Sequence, residues 1–433
     1  MIMKPTFFQS QDGAISALNL ALLTTTAIFA GIAIDVSNVI SNRTQLQAAA
    51  DSAAHTAIFM KEFNDGDVSR EAAIAVARQN MPPEIYGEVL RAENIKFGTY
   101  DATKGEFYVD ENDREAVMVL ADQVAANDNP VSSFLLQMIG FESWDVRTTS
   151  VFETFFPTCL REGFVAEEIV DIQSNNSYFN GFCIHSNQWV ELNNNNFFEA
   201  GTIVSMPDTD LLVVPKDGLD DEHNEGLQKA LREGKWWIKI LERLDAIVEG
   251  AMTTGHKYSQ PFIKNKIVID ITDKTVDPSH FTAGRVHEYT GTCNPKFTFN
   301  AGVYEDIVFK TSCSIQFSNG AEFRNAVIIT EATGQKSMYA PQNLTLGEPD
   351  DCGEGGGAVL ISYGDVEVAA KLEMHGSQIL SAGDVDFSAN AAGIRGASIV
   401  AAGRIDGTSN MDFAFCGGGM DVTYEAAYFR LAQ

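Results

Sequence analysis

An apolar stretch near the N-terminus, Ala14 to Ile34, constrains this chain more than any other feature. It contains no charged residue and no proline, and Gly31 is its only glycine. About 20 such residues are needed to cross ~30 Å of hydrocarbon as a helix. Proline and glycine are also absent from residues 35–58. We therefore predict a transmembrane helix that leaves the membrane and continues, unbroken, into the next domain.

Two alternatives would give a similar pattern. A cleaved signal peptide has an apolar core of roughly 7–15 residues followed by a small-residue site, and Gly31 and Ala33 offer such a site. A buried core helix is the second alternative. We favour the retained membrane helix, because the apolar run is longer than a signal core and the helical pattern does not stop at Ile34.

Charge and cysteine usage indicate where the rest of the chain lies. A formal net charge of -29 over 433 residues excludes nucleic acid or anionic lipid as the main partner, because phosphate would be repelled. All six cysteines follow the apolar stretch, which predicts disulfides in an oxidising compartment. Sequence order suggests Cys159–Cys183, Cys293–Cys313 and Cys352–Cys416, with other pairings open.

These features predict a single-pass membrane protein, and the family resemblance described below implies that the membrane is a bacterial inner membrane. Residues 1–13, with Lys4, form a cytoplasmic tail, and the bulk of the chain is periplasmic or extracellular. Lys4 alone is a small positive-inside signal, since Asp12 offsets it. The cysteines and the acidic bulk decide the orientation.

Residues 35–157 have the pattern of a pilin-like α+β domain. After the long helix, the pattern predicts a second helix over 69–81 and a hairpin over 94–109. It predicts strands over 115–124 and 144–156, the latter being the last strand of the sheet. Between them, residues 129–141 are predicted to form a short helix that Gly140 closes.

Several residues of this region point to a family. The apolar helix starts at Gly13, an aspartate follows it in AIDVSN, and LQAAADSAAHTA continues from Leu46. Residues 13–157 resemble the TadE/TadG-like pseudopilins of the tight-adherence (Flp) pilus system. The resemblance implies a minor pilin or pilus-assembly component whose partners are other pilins or Tad assembly proteins. Processed pilins of this class carry Glu five residues after the cleaved glycine, where this chain has Leu18, so the resemblance does not imply cleavage after Gly13.

Residues 158–420 repeat with a period near 20. GDVEV from Gly364, GDVDF from Gly383 and GRID from Gly403 recur, and IVDIQSNNSYFNG from Ile169 aligns with WVELNNNNFFEAG from Trp189. Short β-branched runs separated by Gly and Asn at this period predict a parallel β-helix, with one coil per ~20 residues.

Three further features of the β-helix region are predicted. Asn193 to Asn196 would join a stacked asparagine ladder at one bend, the alternative being an ordinary polar loop. A helical insertion covers about 218–252, in which Trp236 and Trp237 are packing residues or an exposed partner contact. Residues 421–433 form a C-terminal tail or cap.

No catalytic or cofactor-binding motif is present in the sequence. HExxH, GxSxG and Walker A patterns are absent, so we expect no enzyme, no catalytic residue and no cofactor. The predicted function is a membrane-anchored pilus-assembly protein with an exposed β-helix head for adhesion or spacing, which would take a surface or glycan ligand.

The alternative function is a membrane-anchored, exported polysaccharide-binding protein or lyase, because parallel β-helices also host such activities. It would need carboxylates with a basic residue on one outer face, and Asp365, Asp384 and Asp386 with Lys371 and Arg404 are the candidates. The same three aspartates are candidate Ca²⁺ ligands, because coils stack side chains within ~5 Å. A solvated acidic face is the other explanation for them.

Overall fold

The computed structural model describes residues 12–407 and 410–432, with the side chains of 12–14 and 389–393 left aside. The predicted tail, residues 1–13 with Lys4, lies outside the described residues except for its last two positions. The chain divides into two compact units. The N-terminal unit runs to Phe155 and takes in the strand after Ala427, and the second unit covers Phe156–Ala426.

The N-terminal unit is built on one continuous helix, α1 (Asp12–Lys61), which confirms the prediction of an unbroken helix. Helix α2 (Gly66–Asn80) begins at Asp65, whose carboxylate accepts hydrogen bonds from two backbone N–H groups, and α3 is Pro83–Tyr86. The second half of α1 buries small residues against the sheet, because only small side chains let a helix approach closely. The fully buried small residues are Ala49, Ala50, Ala53, Ala54 and Ala57, and the larger Leu46 is fully buried as well.

An antiparallel sheet packs against α1. Its order is β2-β1-β3-β6, followed by the C-terminal strand. The hairpin predicted over 94–109 is confirmed, with Asp101 opposite Glu106. The strands of this sheet are β1 (Ile95–Asp101), β2 (Glu106–Val109), β3 (Ala116–Gln123), β6 (Val146–Phe155) and the C-terminal strand (Tyr428–Leu431). A separate two-stranded sheet contains β4 (Val131–Ser132) and β5 (Ser143–Trp144).

Two details of this unit differ from the sequence-based prediction. β6 is not the last strand of the sheet, because Tyr428–Leu431 pairs with it in antiparallel register. Part of the predicted C-terminal tail is therefore a strand of the N-terminal unit. Residues 129–141 are not one helix: β4 and a 3₁₀ turn at Leu136–Ile139 share the segment, with Gly140 in left-handed geometry after the turn. Pairing of β4 with β5 competes with the helix there.

The second unit is a parallel β-helix, hereafter the solenoid. Its described residues form 23 strands, and each coil contributes to three parallel sheets. Sheet 1 contains Gly163–Ala166, Cys183–Ser186, Ile203–Met206, Leu231–Glu233, Val268–Asp270, Arg285–Tyr289 and Ala358–Ser362. Sheet 2 contains Ile169–Ile172, Trp189–Leu192, Thr275–Val276, Phe297–Phe299, Ile315–Phe317, Met338–Ala340 and Ile405–Gly407. Sheet 3 contains Ser177–Phe179, Asn196–Phe198, Asn224–Glu225, Leu344–Leu346 and Asp412–Ala414.

Four long strands bend from one sheet into the next. Two of them turn at a left-handed residue, Asp306 or Asn325, where a short polar side chain tolerates that geometry. The four strands are Gly302–Thr311, Ala321–Thr330, Val366–Ser381 and Val385–Ala401.

The coils of the solenoid do not stack in sequence order. Strand Val385–Ala401 pairs with Gly163–Ala166, so that Ile399 lies opposite Phe164. The same junction places Asp406 opposite Asp171 and Phe413 opposite Tyr178. The chain therefore enters the solenoid in its middle, builds coils to one end at Leu231–Glu233, crosses to the other end at Val268–Asp270, and builds back to its starting coil.

Residues 234–267, the return segment, make this crossing. Sheet 1 has ten strand-to-strand steps between Leu231–Glu233 and Val268–Asp270, which at ~4.8 Å each is roughly 50 Å. The segment contains the short helices Lys239–Glu242 and Leu244–Met252. It bonds to Asn187 through Trp236 near its start and to Gly284 through Lys264 near its end.

The helical insertion predicted over about 218–252 is observed in its second part, where the return segment forms the helices Lys239–Glu242 and Leu244–Met252. The first part of the predicted range 218–252 belongs to a coil instead, with Leu227 and Ala230 in the solenoid core. The apolar spacing there arises from coil packing.

Stacked side chains hold the coils in register. Tyr178 lies stacked between Phe198 and Phe413 at centroid distances of 4.9 and 5.1 Å. The asparagine ladder predicted at Asn196 is confirmed: the Asn176 N–H donates to Asn196 Oδ1, and the Asn196 N–H donates to Asn224 Oδ1, both at 2.9 Å. The three disulfides link the pairs that sequence order suggests, Cys159–Cys183, Cys293–Cys313 and Cys352–Cys416.

Candidate functional site

The first half of α1 presents large apolar side chains that stay mostly exposed in the described structure. Its large side chains from Ile15 to Ile34 are between 42% and 68% exposed. Among the described residues, α1 is the one helix long and apolar enough to cross a membrane. This exposure contradicts the alternative of a buried core helix, because such a helix would lose its apolar stripe to a protein core.

Asp35, the residue that follows the apolar stretch, is buried and bonded to a distant loop. Its Oδ1 accepts a hydrogen bond from the Phe134 N–H at 2.7 Å, and its Oδ2 accepts one from the Leu136 N–H at 2.7 Å. The Leu135 N–H lies between them, 3.1 Å from Oδ2. One carboxylate thus caps the three N–H groups that begin the 3₁₀ turn at Leu136–Ile139. Asn38 adds a longer bond to the Ser132 carbonyl.

A row of five carboxylates runs along the outer side of sheet 2 in the solenoid. The residues stand at equivalent positions of successive coils, so neighbours are ~4.8 Å apart along the stack. Their flanking residues, such as Val170 and Val385, point inward and are buried. The row, in spatial order, is Glu367, Asp386, Asp406, Asp171 and Glu191.

Burial and mutual repulsion make this row hard to ionise fully. Burial raises the pKa of the Asp386 carboxyl, and the neighbouring charge of Asp406 raises it further. Burial also raises the pKa of Asp171 and of Asp406, and Arg404 opposes both shifts. The Arg404 guanidinium bonds to both aspartates, at 2.9 Å in the case of Asp406. The row is therefore a strip of partly buried negative charge that Arg404 neutralises in part.

The five residues predicted to cluster on one outer face of the solenoid do not all lie together. Asp365 and Asp384 cap turns: Asp365 Oδ1 accepts from the Asp384 N–H, and Asp384 Oδ1 accepts from the Arg404 N–H. Asp386 is a member of the carboxylate row, and Arg404 bonds to two other members of it. Lys371 is an exposed bend residue with a left-handed backbone. Within the described part of the chain, no three His, Cys, Asp or Glu side chains form a metal-ligating group.

The two tryptophans of the return segment differ in their environment. The Trp236 ring stacks on the buried His185 with centroids 4.6 Å apart. Burial lowers the pKa of His185, which favours the neutral imidazole for this contact. The Trp237 side chain is 58% exposed, and its Nε1–H donates to Glu242 at 2.6 Å. Trp236 is therefore a packing residue and Trp237 a surface residue.

Sequence reasoning missed two parts of these sites. It noted Asp35 as an aspartate leaving the membrane but not its partner, about 100 residues away, although FLLQMIGF from Phe134 is an apolar signal outside any core pattern. It also missed four of the five carboxylates of the row. Their common face is visible only once Asp406 and Asp171 are known to be neighbours.

Comparisons with known proteins bear on both units. Residues 163–417 match the family described as a domain of unknown function, DUF7867. Residues 13–58 match the Tad family, described as TadE/G-like and associated with Flp pilus assembly. No curated protein and no solved structure matches the chain.

Proposed function

We propose that this chain, which belongs to the DUF7867 family and begins with a TadE/G-like segment, is a membrane-anchored minor pilin or assembly component of the Flp pilus. The observation that carries the proposal is the division of α1. Its first half is apolar and exposed, and its second half forms the core of an α+β unit. A helix that both crosses the membrane and supports its own domain is what lateral packing among pilin helices requires.

In this proposal the helix sits in the inner membrane with its N-terminus in the cytoplasm. The solenoid then lies in the periplasm or outside the cell, where its three disulfides form. It serves as an exposed head for adhesion or spacing. A stack of coils suits that role, because parallel strand pairing joins each coil to its neighbour along the stack.

The test is site-specific photo-crosslinking in cells that assemble the pilus. A crosslinking residue at Ile28, 49% exposed on α1, is expected to trap pilins or Tad assembly proteins. The matched control is Val303, which is exposed on the solenoid at 42% and is expected to trap neither. Deletion of the gene should abolish or shorten the pili. Normal piliation together with no protein crosslinked at Ile28 would contradict the proposal.

A second candidate function, an exported polysaccharide-binding or polysaccharide-cleaving protein, has one observation in its favour. The carboxylate row places paired carboxylates beside Arg404 on one outer face. Asp406→Asn should then abolish binding to, or cleavage of, an acidic polysaccharide. The same substitution is expected to leave piliation unchanged, which separates the two functions.

A further inference from the structure

The apolar loop, Phe134–Phe141, carries five exposed large apolar side chains within eight residues. Met138 is 82% exposed, Ile139 68% and Phe134 57%. The sequence has no charged residue from Asn129 to Phe141. An uncharged apolar patch of this kind on a folded unit marks a surface that another apolar phase covers.

The loop lies against the membrane half of α1. Its residues Leu135, Met138 and Ile139 line a groove together with Thr24, Ile28 and Gly31 of the helix. The approach is closest at Gly31, where a Cβ would stand 3.2 Å from the Leu135 Cβ. The loop therefore continues the surface of the helix.

The depth of this contact follows from helix geometry. At ~1.5 Å per residue, Gly31 lies about 6 Å below Asp35 and Thr24 about 16 Å below it. Half of the hydrocarbon thickness is ~15 Å. If Ala14–Ile34 spans the bilayer, the side chains of the loop reach the acyl chains of the leaflet nearest Asp35.

A loop can enter hydrocarbon only if its backbone polar groups are already paired. The Asp35 carboxylate accepts hydrogen bonds from the N–H groups of Phe134, Leu135 and Leu136. Within the loop, the N–H groups of Met138, Gly140 and Phe141 donate to carbonyls at 3.1–3.2 Å. The one polar side chain, Gln137, donates to the Phe134 carbonyl at 2.8 Å.

We infer that the apolar loop inserts into the membrane leaflet beside α1, and that Asp35 is the positioning residue that holds it there. This inference rests on the membrane anchoring in the proposed function and adds a second, lipid-facing contact to it. The occupant is the bilayer because the patch is continuous with the membrane surface of α1 and carries no charged residue. A neighbouring pilin helix is the alternative that the test must separate.

The test uses the full chain reconstituted in phosphatidylcholine vesicles. All six native cysteines are in disulfides, so one introduced cysteine carries a polarity-sensitive fluorophore. Labels are placed at Met138→Cys in the loop, at Ile28→Cys in α1 and at Val109→Cys as the aqueous control. Val109 lies two residues before Glu111, whose carbonyl binds Lys61 at the far end of α1. Quenching by lipids with a nitroxide at a shallow or deep acyl position reports depth.

The expected result is that the Met138 label is quenched severalfold more than the Val109 label, most strongly by the shallow nitroxide, while Ile28 is quenched as well. Quenching at Ile28 but not at Met138 would overturn the inference and leave the anchoring intact. A blue-shifted but unquenched Met138 label would also overturn it, in favour of a protein partner. No quenching at Ile28 would overturn the anchoring itself.

The role of Asp35 has its own variant. Asp35→Asn removes the charge that three N–H groups share, so the Met138 label should lose most of its quenching while the Ile28 label keeps it. Asp51→Asn is the matched control on the same helix, since its carboxylate accepts only a side-chain bond from Gln47. Unchanged quenching at Met138 in Asp35→Asn would overturn the positioning role.

Discussion

The contact surface of α1 in the N-terminal unit and the interior of the solenoid are packed with side chains of different size. In the N-terminal unit, α1 presses against a sheet through alanines such as Ala50 and Ala53, which are fully buried. In the solenoid, rings such as Phe299 and Tyr178 fill the space inside each coil. A helix laid on a sheet needs small residues for close approach, whereas a coil needs large ones to avoid a void. We therefore expect different perturbations to unfold the two units.

They also differ in how they are fastened. The solenoid contains all three disulfides, and the N-terminal unit contains no cysteine. Yet both units are closed by a distant part of the chain. Tyr428–Leu431 completes the sheet of the N-terminal unit, and Val385–Ala401 joins the first coil of the solenoid. Both units therefore use a strand from a distant part of the sequence to complete their sheets, and the solenoid is also cross-linked by disulfides.

The largest expected difference comes from reduction. Each disulfide is worth about 3 kcal/mol by the loop-closure account, with the most from Cys352–Cys416 because its loop is the longest, at 64 residues. A reductant should lower the urea midpoint of the solenoid, measured by pulse proteolysis, and leave the N-terminal unit and its membrane helix unchanged. Equal protease resistance of the solenoid with and without reductant would contradict this expected difference between the two units.

A cavity in the solenoid is the next largest perturbation. Phe299 is fully buried and packs edge-on against Phe309 and Phe323. Phe299→Ala should cost about 3–5 kcal/mol in the solenoid transition only. Val303→Ala, at an exposed position, is the control and should change the midpoint by less than about 0.5 kcal/mol. A shift in the transition of the N-terminal unit would show that the two units do not unfold separately.

Acid should destabilise the solenoid through a buried histidine. Burial lowers the pKa of His287 to about 4, below its ordinary value of 6.5. The unfolded chain therefore binds the proton first, so stability is complete above pH 6.5 and falls as the pH drops toward 4, by about 3 kcal/mol. Urea midpoints measured from pH 7 to pH 4 should show this slope in the wild type and a smaller slope in His287→Gln, because burial also lowers the pKa of His185 and of His375. An identical slope in both proteins would exclude His287 as its source.

The smallest effect concerns closure of the N-terminal unit. Phe429, on the C-terminal strand, contacts the rings of Phe59 and His55 edge-on at 6.1 and 6.2 Å. Phe429→Ala should cost about 2 kcal/mol in that unit, with the solenoid unchanged. Leu431→Ala, 52% exposed on the same strand, is the matched control. Equal losses in the two variants would mean that only strand pairing, and not the Phe429 contact, closes the sheet.

Local sequence patterns were enough to predict the elements whose formation depends on neighbouring residues. The apolar run before Asp35, the turn between Asp101 and Glu106, and the period near 20 each depend on residues close in sequence. The Asn196 ladder followed from the same period, because equivalent residues of successive coils must stack.

The order of the coils could not be predicted in the same way. Inward positions such as Phe164, Ile184 and Ile399 are all large and apolar, so any coil fits against any other by composition. Ile399 pairs with Phe164 because the return segment takes the chain to the far end of the solenoid, and the later coils then build back to the first coil. The carboxylate row depends on that order, and so it was invisible in the sequence. The bond from Asp35 to the Phe134 N–H is equally non-local, since backbone donors leave no mark in a sequence.

The central claim is that α1 anchors the chain in a membrane, with the solenoid on the disulfide-forming side. Protease protection in spheroplasts tests it most directly, with a tag at the N-terminus and an antibody to the solenoid. We predict that added protease removes the solenoid after reduction, while the N-terminal tag survives in a fragment that alkaline carbonate does not extract. A protected solenoid, or a chain that carbonate releases intact, would contradict the claim.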